Sequence, residues 1–350
     1  MKLLRNNVKT SAGYIPGEQP IDPRVIKLNT NENPYPPSPR VLEAIHAVTA
    51  EQLRRYPSPS GQAFREAAAQ LHNVTPDHIL TFNGGDELLS VAIRAAADEN
   101  DTVAFFEPSY SLYPVLTQIH GARANILSYN IDGTRWSLPA NVENADAAIM
   151  LIVNPNAPSG HLEPVEKLAA IAASFRGLLV IDEAYVDFAP QSSLDLVRQF
   201  PNVLILRTMS KGYSLAGLRF GYAIAQPQLL REIEKVRDSY PVDAIAIAAA
   251  TAAINDQPYA RDTWQKVKAE RARMTAELQK LGFTMPESHS NFVLATAPQK
   301  SDAKSIYETL KARGILVRWW QLPRIADKVR ITIGTPEQNN RLLAELATLV

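Results

Sequence analysis

The chain has 350 residues, enough for a large domain plus a smaller one, and 46% of them are apolar, so a sizeable core can be buried. Lysine plus arginine and aspartate plus glutamate both number 36, which gives zero formal net charge and argues against nucleic acid or an anionic membrane as the main partner. There is no cysteine, which excludes disulfides, thiolate metal sites and cysteine nucleophiles in one step. The opening Met1-Lys2-Leu3-Leu4-Arg5-Asn6-Asn7 lacks an apolar run of signal-peptide length, and no stretch has the uninterrupted apolar length of a membrane span. The Asn73-Val74-Thr75 sequon carries no weight without a secretory signal. A soluble cytoplasmic protein is the expectation.

Residues 1–40 are rich in Pro, Asn and Gly and read as an extended arm rather than a helix. From Val41 onward the periods alternate. Helical patterns at Gly61–His72, Asp86–Ala97 and Val165–Phe175 are interleaved with short apolar runs at Thr102–Phe106, Ala148–Val153, Leu178–Ile181 and Val203–Leu206. Such alternation predicts βαβ units and a mostly parallel sheet, and the unbroken apolarity of the runs predicts strands covered on both faces. A helix-rich stretch at Gln228–Ile254 and a long charged helix at Tyr259–Leu281 follow; the charges of the latter read as a solvated face. The remainder alternates strand and helix: Asn291–Ala295, Asp302–Arg313, Ile315–Arg318, Val329–Ile333 and Pro336–Leu349. The expected organisation is an N-terminal arm (1–40), a large α/β domain (41–255) and a small α+β domain (256–350).

In open parallel α/β sheets, ligands bind outside the carboxyl ends of the strands. The run Val203–Leu206 leads into Thr208-Met209-Ser210-Lys211, with Arg219 eight residues after the lysine. A lysine among small residues and beside a second cation can be kept partly unprotonated and form a Schiff base. Ser210 and Arg219 have the chemistry to grip a phosphate. Lysine plus phosphate grip is the minimum equipment for holding pyridoxal phosphate.

The other strand ends carry further candidates. Leu178–Ile181 ends in Asp182-Glu183-Ala184-Tyr185. Asp182 there is either a helix cap or the carboxylate that pairs with a pyridine nitrogen, and Tyr185 suits a phenolic oxygen. Ile149–Val153 ends in Asn154-Pro155-Asn156-Ala157-Pro158-Ser159-Gly160, which taken alone is a turn. Ile79–Phe82 ends in Asn83-Gly84-Gly85-Asp86-Glu87 before a helix, a weak phosphate signal by itself. Val103–Phe106 ends in Glu107-Pro108-Ser109-Tyr110, where an aromatic either packs or stacks on a planar ring. Each item is modest alone; together they are the groups one cofactor needs. The six histidines are scattered without metal-ligand spacing, so no metal is expected.

With these motifs the chain resembles the pyridoxal-phosphate-dependent aminotransferases of the aspartate aminotransferase fold and, among them, the histidinol-phosphate aminotransferase family. The resemblance covers nearly the whole chain. It includes Tyr14-Ile15-Pro16-Gly17, Asn31-Glu32-Asn33-Pro34-Tyr35, Tyr56-Pro57-Ser58-Pro59-Ser60-Gly61, the Asn83, Asp182 and Lys211 segments, Val317-Arg318 and Arg330-Ile331-Thr332-Ile333-Gly334-Thr335. It implies that Lys211 binds the cofactor covalently and shuttles a proton, that Asp182 pairs with the ring nitrogen, that Tyr185 and Asn156 (or Asn154) bond the ring oxygen, and that Tyr110 stacks on the ring. It implies that Gly85, Asp86, Ser210 and Arg219 surround the phosphate, with Glu87 and Thr208 also at the cofactor. Tyr56 is expected to reach that phosphate from the other subunit of a homodimer. Tyr14, Asn33, Arg318 and Arg330 are expected at the substrate end, Arg330 on a carboxylate and Arg318 with Tyr14 on the phosphate of histidinol phosphate. The chain departs from the family at Ala157, where a second asparagine is common. Trp319 and Trp320 are aromatic beside an expected anion site: they face the dimer partner or the core, or they favour an aromatic amino acid as the rival substrate. Decarboxylation of phosphothreonine is the rival reaction on this scaffold.

Overall fold

The computed structural model describes residues 3–350. Its centre is a seven-stranded sheet, β1 (Ile79–Phe82), β2 (Thr102–Glu107), β3 (Arg123–Ser128), β4 (Ile149–Val153), β5 (Leu178–Asp182), β6 (Val203–Thr208) and β7 (Gly221–Ala225), in the spatial order β1-β7-β6-β5-β4-β2-β3. The β2, β3, β4, β5 and β6 pairings are parallel; β7 alone is antiparallel to both its neighbours. Strands β4 and β5 are buried along their whole length, as their unbroken apolar runs require when helices cover both faces. β3 has no apolar signature in the sequence: in Arg-Ala-Asn-Ile-Leu-Ser, at the sheet edge, only Asn125 and Leu127 are half-buried and the rest are exposed.

The register decides what the sheet edge presents. Val153 of β4 lies opposite Asp182 of β5, and Asp182 lies opposite Leu206 of β6. The carboxyl ends of β4, β5 and β6 therefore finish side by side. Because β7 runs the other way, its first residue, Gly221, sits at that same edge, opposite both Phe82 and Thr208. A Cβ on Gly221 would lie 2.8 Å from the Gly84 carbonyl carbon, so only glycine lets the two segments meet this closely. Arg219, two residues before β7, thereby joins the strand ends.

Two apolar clusters, one on each face of the sheet, form the larger core. A third gathers Val267, Met274 and Leu278 of α2 (Gln257–Lys280), Val293 of β8 (Phe292–Thr296), Val329 and Ile331 of β9 (Lys328–Thr332), Leu342 and Leu346. The helix α1 (Ala244–Asn255) breaks from α2 at Asp256. The segment expected to be wholly extended contains a five-residue helix, Asn6–Thr10, and a two-residue strand, Ile26–Lys27, paired in parallel with Ile315–Leu316. Leu28 completes the third cluster, and Thr332 N donates to Leu28 O at 3.0 Å. Residues 26–31 are thus stitched to the C-terminal unit, which carries them over the sheet edge.

Candidate active site

The strand ends open into a cleft roofed by Tyr14, Gly17 and Asn29–Asn31 on one side and by Arg318, Trp320 and Arg330 on another. At one corner β1 gives way to Gly84, whose φ of +85° an L side chain rarely adopts. The helix Gly85–Ala96 starts there, so its first N–H groups lack helical partners, and Gly85 and Asp86 line the cleft. Arg219 closes the corner: its Nη2 donates to Asp86 Oδ2 at 3.3 Å. The Thr208 hydroxyl donates to Ser210 Oγ at 3.0 Å beside it. A guanidinium, two hydroxyls and a helix N-terminus are a donor set for a phosphate dianion.

Beyond this corner lies Asp182, 4% exposed. Its Oδ1 accepts from Ala184 N at 3.0 Å and its Oδ2 from the Tyr113 hydroxyl at 3.1 Å. No cation pairs with it among the described residues. Burial therefore pushes its pKa up to about 7, only partly countered by these two hydrogen bonds. A buried carboxylate held by neutral donors is fitted to a cationic ligand nitrogen, and a protonated pyridine supplies one. The Tyr185 hydroxyl accepts from Asn31 Nδ2 at 2.9 Å, and Tyr110, whose hydroxyl donates to Asp86 Oδ1 at 3.0 Å, presents an aromatic wall to the cleft.

Lys211 follows β6 into the cleft and is half-buried, its Nζ donating to Thr30 O at 3.1 Å. Burial pulls its pKa down to about 8; Glu32 opposes that, while Arg330 and Arg219 add to it. The donor corner, the buried carboxylate and the lysine fit pyridoxal phosphate.

The far end of the cleft is cationic. Arg318 and Arg330 are paired across an antiparallel bridge, Arg318 N donating to Arg330 O at 3.0 Å and Arg330 N to Arg318 O at 2.8 Å. Arg330 Nη2 donates to Asn29 O at 2.8 Å, and its Nε is buried without a partner. Burial lowers the Arg330 pKa to about 10.

The structure brings Gly85, Asp86, Tyr110, Asp182, Tyr185, Thr208, Ser210, Lys211, Arg219, Tyr14, Arg318 and Arg330 to one cleft. The other expected residues do not line it. Asn33 does not line it: its Nδ2 donates to Gly212 O at 3.2 Å and its Oδ1 accepts from Tyr35 N at 3.1 Å, so it shapes the segment that Asn31 presents. Glu87 turns back to accept from Asn83 N and caps the turn. Asn156 holds its turn through Ser159 Oγ (2.8 Å) and Pro108 O (3.3 Å), while Asn154 exchanges hydrogen bonds with the Glu163 main chain. Ala157 and Pro158 line the cleft instead of either asparagine. Tyr56 is 81% exposed and stacks on Tyr240, with ring centroids 4.5 Å apart, outside this cleft.

Sequence reasoning missed Asn31, Tyr113 and the placement of Trp320. Period-two alternation from Arg318 is the signal that could have placed Trp320 on the Arg318 side of the chain. Nothing local marks Tyr113, which reaches Asp182 across 69 positions.

Comparisons with known proteins converge on one family. The profile of the family described as aminotransferase class I and II matches residues 23–346. Histidinol-phosphate aminotransferase 1 of Trichormus variabilis is 48% identical over 351 residues, covering 99% of each chain. Histidinol-phosphate aminotransferase of a Geobacter species is 46% identical, covering 100% of this chain and 99% of its own. Among solved structures, histidinol-phosphate aminotransferase from Sinorhizobium meliloti in complex with pyridoxal-5'-phosphate superposes with a TM-score of 0.85 at 29% identity, over 93% of this chain and 90% of that one.

Proposed function

Because the chain belongs to the class I and II aminotransferases, we propose that it transfers an amino group between histidinol phosphate and 2-oxoglutarate, with pyridoxal phosphate as cofactor. The observation that carries this is the cleft itself: a phosphate corner and a buried carboxylate at one end, Lys211 between, and two guanidiniums at the other. The full-length relatives at 46–48% identity support the substrate.

When bound, the cofactor supplies an aldehyde to carry the amino group and a protonated ring that takes up electrons released at the substrate carbon. The main-chain N–H groups of Gly85 and Asp86, with Thr208, Ser210 and Arg219, would hold its phosphate, Tyr110 would cover its ring, and Tyr185 would bond its phenolic oxygen. Asp182 keeps the ring nitrogen protonated, since separating the two charges would leave the carboxylate buried and alone. Lys211 is the covalent anchor. As a free amine, Lys211 would have a usable unprotonated fraction near neutrality, because its pKa is lowered to about 8, and would take the proton from the substrate carbon and hand it on. Arg330 and Arg318 grip the substrate's anionic groups, and Tyr14 closes over them. One guanidinium pair serves phosphate and carboxylate alike, because both offer oxygens to its fork. Tyr56, exposed and away from its own cleft, is assigned to the cleft of a second copy, so the working unit is a homodimer.

The rival aromatic substrate loses its support. Trp319 turns away into the C-terminal core, its Nε1 donating to Ala326 O at 2.8 Å and its ring stacked on Tyr307. The guanidiniums of Arg318 and Arg330 lie over the Trp320 ring, 5.5 and 5.0 Å from its centroid.

A single-turnover spectrum of the cofactor-loaded protein tests the assignment. Histidinol phosphate should convert the aldehyde-state band to the amine-state band much faster than phenylalanine does. The reverse order would make the aromatic substrate correct. No conversion by either, with carbon dioxide released from phosphothreonine, would make it a decarboxylase.

A further inference from the structure

Two adjacent cations need a reason to stay adjacent. Arg318 and Arg330 are direct cross-strand neighbours, so their side chains leave the bridge on one side of the chain. Like charges placed this way repel each other. The side-chain hydrogen bonds of both run to main-chain carbonyls, Ile15 O at 3.3 Å for Arg318 and Asn29 O at 2.8 Å for Arg330, and no carboxylate among the described residues pairs with either. The group in the place of a counter-ion is Trp320. Its ring centroid lies 5.5 Å from the Arg318 guanidinium carbon and 5.0 Å from that of Arg330. Phe292 adds a second ring, 5.2 Å from the Arg330 guanidinium carbon.

An aromatic ring attracts a cation through its quadrupole while carrying no charge of its own. A carboxylate in the same place would steady the arginines equally well but would neutralise them and compete with an incoming anion. An aromatic partner steadies them and leaves their positive charge available. A guanidinium held over a ring keeps edge N–H groups free for a ligand, which a carboxylate partner would occupy.

We infer that Trp320 is a positioning residue that holds Arg318 and Arg330 as one clamp for a substrate bearing two negative charges. It acts through the arginines and not through the reacting atoms. It explains how one cleft takes both a phosphate monoester and a dicarboxylate, each of which carries two charges that two fixed guanidiniums can share. The inference rests on the proposed function only for the identity of those substrates; the clamp itself can be read without turnover.

The test uses the cofactor-loaded protein, with succinate, a dicarboxylate that has no amino or oxo group, titrated by calorimetry. Wild type is compared with Trp320→Phe, Trp320→Met and Trp320→Leu. Phenylalanine keeps a ring; methionine and leucine keep apolar bulk without one. Removing a ring that serves two partly desolvated cations should weaken succinate binding about tenfold or more in the Met and Leu variants, with Phe within about threefold of wild type. In turnover assays the same two variants should raise KM for histidinol phosphate and for glutamate together, with kcat within about threefold. Wild-type succinate affinity in Met or Leu would overturn the clamp, and so would equal weakening in Phe and Met, which would mean that Trp320 only fills space. Failure of the substrate assignment looks different: histidinol phosphate would not turn over in wild type, while the succinate series would still separate ring from bulk.

Discussion

At the scale of single residues, Lys211 and Asp182 share a cleft but are perturbed in opposite senses by the same cause. Burial favours the neutral form of each, which lowers the lysine and raises the carboxylic acid. Lys211→Ala should reduce transamination by at least about 10³-fold in a steady-state assay while the protein still folds, since a nucleophile and proton carrier is lost and a small side chain fits its space. For Lys211 itself, only the neutral amine attacks an aldehyde. Covalent capture of pyridoxal phosphate by the cofactor-free protein, followed by absorbance, should accelerate with pH up to about 8 and level off above it. Asp182 makes a stability prediction. Between its ordinary value of 3.8 and about 7, the folded cofactor-free protein holds a proton that the unfolded chain has lost. Stability should therefore fall as pH rises through that window, and the penalty is complete above it. Asp182→Asn should flatten this slope in thermal unfolding followed from pH 4 to 7.5, and a wild type whose slope matches the variant's would contradict it. Both residues were legible from their strand ends. Asn31 and Tyr113 were not, because a hydrogen bond across a fold leaves no mark on its two local sequences.

At the scale of elements, the phosphate corner is made by one strand that runs against the rest. β7 brings Arg219 to the edge where β1 and β6 end, and glycines at 84 and 221 let the segments touch. A Cβ at Gly84 would stand 2.7 Å from Arg219 Nη2, at a φ where any side chain is already strained. Gly84→Ala should lower stability by about 1 kcal/mol and weaken cofactor affinity about tenfold or more, because the guanidinium must move to make room. Equilibrium dialysis of pyridoxal phosphate checks this, and unchanged affinity would mean that Arg219 is not held by the corner. The glycines, the lysine and the arginine all lie in recognisable motifs. The direction of β7 does not, since apolar runs read alike in either direction. The edge strand β3 escaped for a related reason: half-exposed, it has no run to read.

At the scale of the whole molecule, the cleft is assembled from three parts of the chain, and in the proposed homodimer Tyr56 of a second copy would add a fourth. If sites are shared, Tyr56→Ala and Lys211→Ala chains, each weak alone, should recover up to about a quarter of wild-type activity on mixing and re-association. Half the random dimers are then hybrids, each with one intact site of two. No recovery by dimers shown to have exchanged would confine each site to one chain. By itself, the sequence determined the alternating architecture, the strand ends that matter and the chemistry they carry, because apolar periodicity and turn residues act over a few positions. Only the tertiary structure decided which residues of each motif face the cleft. It turned Asn33, Glu87 and Asn156 to structural duty, sent Trp319 into the core, and set Trp320 beside two guanidiniums. The reason is physical. A side chain's role depends on which distant backbone comes to rest against it, and that is settled by strand order, register and the packing of the N-terminal segment on the C-terminal unit.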